Sequence, residues 1–160
     1  MKMELRRVTA IPTLMRWRAE VITRVFKQDP DARLLVANRN YYRLHIADGS
    51  HVAFVASADG VDCGCGGVCF SEELPSPDNP SGRCAYIMNI YVREDFRKHG
   101  IGRMIVGRLI EEARKNECDK IYLETIIAKT KRAQFQNETS KSSLFSLPFF
   151  SAPFQPLNIN

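Results

Sequence analysis

Residues 84–125 read CAYIMNIYV, REDFRKHG, IGRMIVGRLIEEARKN, ECD and KIYLET, and the fold turns on how this stretch is parsed. Residues 84–92 are apolar and β-prone around one polar residue, Asn89, which predicts a strand. Residues 101–116 place Ile101, Ile105, Leu109, Ile110 and Ala113 on one stripe of a helix. Residues 120–125 are again strand-like. A strand, a helix of about four turns and a strand make a β-α-β unit, so the two strands should be parallel and the crossover right-handed. That arrangement puts the start of a helix beside the end of a strand.

Upstream, residues 11–26 carry Leu14, Trp17, Val21 and Val25 at helical spacing, with Pro12 and Thr13 suited to a helix start. A second helix is expected over 32–47, stopped by Asp48 and Gly49. The period then changes. Residues 51–57 and 63–70 flank Asp59-Gly60, a strong hairpin signal, and predict an antiparallel pair. Residues 71–82 hold three prolines and three acidic residues, so an exposed loop is expected, with Glu72 and Glu73 at its mouth. The order predicts an α/β (α+β) domain: a mixed sheet with helices on both faces.

The 160 residues, 44% hydrophobic and 26% charged, suit one globular domain with a sizeable core. No apolar run approaches the roughly 20 residues that span a membrane, and residues 1–7 lead into no signal-like block, so a cytoplasmic protein without membrane association is expected. Of the net charge of +5, much sits in the tail, where Lys129, Lys131, Arg132 and Lys141 face only Glu138. The nearly balanced body offers no footprint for nucleic acid. Five cysteines, three of them in CGCGGVC at 63–69, lack a second Cys or His pair at zinc spacing. They are read as small reduced residues on a packed strand, with no metal site.

The chemistry is expected in the turn Arg97-Lys98-His99-Gly100-Ile101-Gly102-Arg103. Gly100 and Gly102 let backbone approach a ligand closely. The first amides of the following helix have no intrahelical acceptor, and the macrodipole adds about half a positive charge there. A diphosphate would be held by those N–H groups, with Arg97, Lys98 and Arg103 neutralising it. The turn is neither a P-loop, since no Gly-Lys-Ser/Thr follows, nor a Rossmann fingerprint. His45 and His51 are read as structural.

The Asn89-Ile90-Tyr91-Val92 strand, the R-x-x-G-x-G core at Arg97, Gly100 and Gly102, and the helix and strand that follow resemble the GCN5-related N-acetyltransferases. The resemblance covers residues 3–125. It implies an acyl-CoA N-acyltransferase-like fold with a mostly antiparallel mixed sheet. It also implies acetyl-CoA as co-substrate, with its diphosphate on residues 97–103 and its pantetheine arm beside Ile90, Tyr91 and Val92. A small-molecule or peptide amine would attack the thioester directly, its carbonyl polarised by an amide near Ile90 or Tyr91. Glu72 or Glu73 would act through water as the base, and Asn89 would orient substrate or water. The resemblance stops at residue 125. No tyrosine follows Tyr122 to match the family's usual acid, and residues 126–160 form an atypical Phe, Ser and Pro tail. An exposed strand edge at Thr125 would invite a homodimer. The competing reading is a noncatalytic acyl-CoA-binding or dimerising module on the same fold.

Overall fold

The protein is described here by a computed structural model covering residues 1–123. The expectations for 124–160, including the end of the closing strand, the tail and the dimer edge at Thr125, lie outside the described residues. The elements are β1 (Met3–Arg7), α1 (Ile11–Val25), α2 (Ala32–Ala47), β2 (His51–Ala58), β3 (Val61–Glu72), β4 (Arg83–Val92), a 3-10 turn (Glu94–Phe96), α3 (Ile101–Lys115) and β5 (Lys120–Leu123). The five strands lie in the order β1-β2-β3-β4-β5. Only the β4–β5 pair is parallel, as the crossover through α3 requires.

Two elements depart from the sequence reading. Met3–Arg7 is a strand, pairing Leu5 with Ala56 at the sheet edge. Four of its five residues are exposed, so it carries no apolar alternation to read. Residues Ser71 and Glu72 belong to β3 rather than to the loop, because Glu72 stands opposite Arg83 in the ladder. The proline-rich loop therefore starts at Glu73, whose amide still reaches the Gly82 carbonyl at 2.7 Å.

The helices cover both faces of the sheet, each over its own core. On one face Ile101, Ile105, Leu109 and Ala113 of α3 pack against Val52, Phe54, Val68, Ala85 and Ile87. On the other, Leu14, Trp17 and Val21 of α1 and Tyr42 of α2 pack against Ala53, Val55, Cys65 and Tyr91. Burying a side chain such as Ile105 or Leu109, both 0% exposed, contributes roughly 1.5–3 kcal/mol. His51 is buried and meets the Tyr41 hydroxyl at 3.0 Å through Nδ1. Burial holds it neutral, with its pKa lowered to about 4.

The run of small residues in β3 sets how closely α3 can approach. A Cβ added at Gly66 would lie 2.4 Å from Cγ2 of Ile105 and 2.6 Å from Cδ1 of Ile90. The Gly66→Ala variant is expected to lose about 1–3 kcal/mol of stability, because the helix must lift off the sheet. Urea unfolding checks this, and an unchanged midpoint would contradict the packing described.

Candidate active site

β4 delivers the chain to the site and is itself irregular there. Its register against β3 shifts between Cys65 and Gly67, which pair with Tyr91 and Met88, so Asn89 and Ile90 together oppose the single residue Gly66. This is a β-bulge. Asn89 occupies it with φ 58°, a left-handed conformation that asparagine tolerates better than most residues. Its side chain turns toward α1, where the Arg18 guanidinium donates to Oδ1 at 2.9 Å. Arg18 also donates through Nε to Oδ1 of Asn38 on α2 at 3.0 Å. The polar residue that the sequence marks in mid-strand thus joins the bulge to both helices.

On its other side β4 pairs with β5 from Cys84 opposite Lys120 to Ile87 opposite Leu123. Among the described residues, β4 has no strand partner on that side beyond Ile87. Beyond Ile87, residues 88–92 carry β4 past the bulge to the turn that leads into α3.

The turn that follows is built around left-handed residues. Lys98 has φ 65°, and Gly100, the N-cap of α3, has φ 81° and ψ 0°. Only glycine adopts that conformation without strain. No side chain caps α3, and its first turn holds no acidic residue. Among the described residues the amides of Ile101 and Gly102 therefore meet no side-chain cap, while the amide of Met104 bonds to the Gly100 carbonyl at 3.0 Å. Nothing among the described residues lies within 4 Å of a Cβ built at Gly100, and at Gly102 only Cγ2 of Val92 comes within 3.9 Å. Among the described residues, a side chain at either glycine would meet no tight contact.

The side chains of the turn do separate things. Arg97 donates through Nε to the Val92 carbonyl at 3.0 Å and reaches Glu94 at 3.3 Å, so it stitches the turn to the end of β4. Lys98, His99 and Arg103 are exposed. The Ile101 side chain is buried in the α3 core, leaving its amide to face outward. The Tyr91 side chain is buried on the α1 face, tilted against Trp17 with ring centroids 6.4 Å apart. Ile90 and Val92 pack toward α3.

Glu72 and Glu73 are not brought to this turn. Glu72 pairs with Arg83 at the beginning of β4, and the six residues from there to Asn89 span about 20 Å of strand. Glu73 accepts a short hydrogen bond from the Tyr122 hydroxyl and another from Asn79 at 3.4 Å. The Tyr122 bond is the chief reason its pKa lies below the usual carboxylate range.

Sequence reasoning missed the group that anchors the end of β4. Arg93 forms a two-pronged ion pair with Glu20 of α1, Nε to Oε1 and Nη2 to Oε2, both at 2.8 Å. Its guanidinium also lies 4.7 Å from the centroid of the Trp17 ring and donates to the Asp62 carbonyl at 2.8 Å. The Arg93 hydrogen bonds are the largest cause of a lowered Glu20 pKa. Glu20 and Arg93 are 73 positions apart, so no local motif links them.

The family model for the acetyltransferase (GNAT) family matches residues 12–135. The chain belongs to that family. No curated protein sequence matches it. Among solved structures, a predicted acetyltransferase from Clostridium acetobutylicum, determined with acetyl-CoA, is 23% identical with a TM-score of 0.70, covering 78% of this chain and 81% of its own. A GCN5-related N-acetyltransferase from Ralstonia eutropha is 25% identical with a TM-score of 0.64, over 78% and 84%. An aminoglycoside N-acetyltransferase, AAC(6')-Iy, determined with a CoA-linked bisubstrate analogue, is 17% identical with a TM-score of 0.63, over 81% and 84%. The GNAT membership agrees with the mostly antiparallel five-stranded sheet and with the position of α3 at the end of β4.

Replacing Glu20 with Gln is expected to cost about 1–3 kcal/mol at neutral pH, because Arg93 loses its charged partner. With the folded pKa of Glu20 held down, its contribution is present above the ordinary carboxylate pKa and disappears as pH falls through the lowered folded value. Wild type should therefore lose more stability than Glu20→Gln on acidification from pH 6 to 3. Chemical unfolding of both across that range checks this, and parallel profiles would contradict it.

Proposed function

We propose that the protein transfers an acetyl group from acetyl-CoA to the amine of a small molecule or peptide. One observation carries this reading: a helix start led by the left-handed Gly100, with no described atom within 4 Å of a Cβ built there and no acidic residue in the first turn, at the end of a bulged strand. The acetyl-CoA and CoA complexes among the similar folds support the same co-substrate.

The residues present fit such a molecule. The amides of Ile101, Gly102 and Arg103 would bind its diphosphate, and the absence of acidic side chains in the first turn keeps that corner electropositive. Lys98, His99 and Arg103 add polar and cationic groups at the rim, and Arg97 holds the turn in shape. The edge of β4 at Ile90, Tyr91 and Val92 would hydrogen-bond the extended arm as a further strand does. Beside the bulge, an amide of Ile90 or Tyr91 would donate to the oxygen on which negative charge builds. Acetyl-CoA supplies an acyl group activated as a thioester, which an amine displaces with loss of a proton and release of the CoA thiol. Asn89 fills the bulge with a left-handed backbone, and its side chain accepts from Arg18. Glu72 and Glu73 stand too far along the sheet to take the amine's proton directly, so a role for either requires a chain of waters.

Gly102→Glu sets bulk and negative charge where the diphosphate oxygens approach, at a helical position with room for a side chain. Acetyl-CoA affinity is expected to fall at least about 100-fold, as measured by isothermal titration, with the unfolding midpoint little changed. Gly100→Glu should do the same with added backbone strain. Wild-type affinity in Gly102→Glu would contradict the site, and binding without thiol release over an amine panel would contradict the enzyme.

A further inference from the structure

Arg18 differs from the other arginines that reach into the sheet. Arg93 is paired with Glu20, and Arg6 and Arg16 both reach Asp62. Arg18 is half-buried, yet its hydrogen bonds go to two neutral amide oxygens, those of Asn38 and Asn89. Among the described residues it makes no ion pair. The groups around it are the Phe26 ring, 5.7 Å from its Cζ, together with Tyr42 and Cys65, both held protonated by burial, their pKa values pushed up to about 12. A guanidinium carries five donors, and among the described residues two of its bonds are made. A partly buried guanidinium bonded to neutral oxygens gains from a charged partner more than a fully solvated one does.

Its position says which anion. Nη1 of Arg18 bonds directly to Asn89, the bulge residue of β4, on the face covered by α1 and α2. The diphosphate corner belongs to α3, whose core lies on the opposite face. A molecule held along the β4 edge from the α3 end has Arg18 and the bulge on its far side, where an acceptor would meet the thioester. We infer that Arg18 recognises an anionic group, carboxylate or phosphate, carried by the acceptor amine close to its nitrogen. Asn38 and Asn89 hold the guanidinium plane in place, and Asn38 is itself fixed by its bond to the Leu34 carbonyl at 2.7 Å. The planar fork suits two-pronged binding of either anion. This assignment rests on the acetyl-transfer reading above and narrows its substrate class.

The test uses the full chain and two matched pairs of amines: phosphoethanolamine against ethanolamine, and phenylalanine against phenethylamine. Wild type should favour the anionic member of at least one pair by about tenfold or more in kcat/KM, expressed mainly in KM. The favoured pair tells phosphate from carboxylate. Arg18→Gln should bring that ratio to within about twofold of one, and Arg18→Lys should keep part of it. A purely structural role would lower both members equally and leave the ratio unchanged, which would overturn the inference. So would a protein that binds acetyl-CoA but acetylates neither anionic amine. Acetyl-CoA affinity of Arg18→Gln within about twofold of wild type reports an intact cofactor corner. A wild-type chain that binds no acetyl-CoA overturns the parent reading, and this one with it.

Discussion

The contact of Ile105 with the bare backbone of Gly66 governs much of this structure. A side chain on β3 at that point would hold α3 away from the sheet, since even a methyl carbon would sit 2.4 Å from Ile105. With glycine there, α3 lies close against β3 and β4, and its first turn comes to rest at the end of β4 beside the bulge. The geometry of the candidate site is thus fixed from beneath by packing. The left-handed Gly100 then turns the chain sharply enough for the helix to begin with its amides outward. The hydrophobic effect positions a polar surface that no side chain in the described structure caps.

The two faces of the sheet divide the remaining work. The α3 face supplies the helix start and, through Ile90 and Val92, an apolar wall under the end of β4. The α1 and α2 face supplies charge: Glu20 pins Arg93 just after the strand, and Arg18 pins the bulge at Asn89. One arginine is neutralised and the other is bound only to amides. Both are tied to the same short segment of β4, so any ligand lying along that edge feels the two cations differently. Stability comes from the first and discrimination from the second.

Much of this was legible in the sequence because it is local. The end of α2 follows from Asp48 and Gly49, while at its start the structure adds the Asp31 cap, whose side chain accepts from the Leu34 amide at 2.7 Å. The hairpin at Asp59-Gly60, the helix α3 and its glycine turn were equally readable, since each depends on neighbours a few residues apart. What sequence hid was non-local or featureless. β1 is an edge strand with mostly exposed side chains, and only its pairing with β2 makes it a strand. The loop boundary moved because Glu72 finds a cross-strand partner in Arg83. The same ladder places Glu72, and Glu73 after it, far from the turn, which the motif alone could not reveal. Arg18 meets Asn89 across 71 positions, and nothing in a helical stripe distinguishes it from Arg16, which points elsewhere.

The most direct test follows the backbone amides themselves. In two-dimensional amide spectra of the 15N-labelled chain, adding acetyl-CoA should shift the resonances of Ile101, Gly102 and Arg103 most strongly. Those of Ile90 to Val92 should follow, while β1 and the loop at 73–82 stay in place. Saturable shifts centred anywhere else, or none at all in that first turn of α3, would contradict the account.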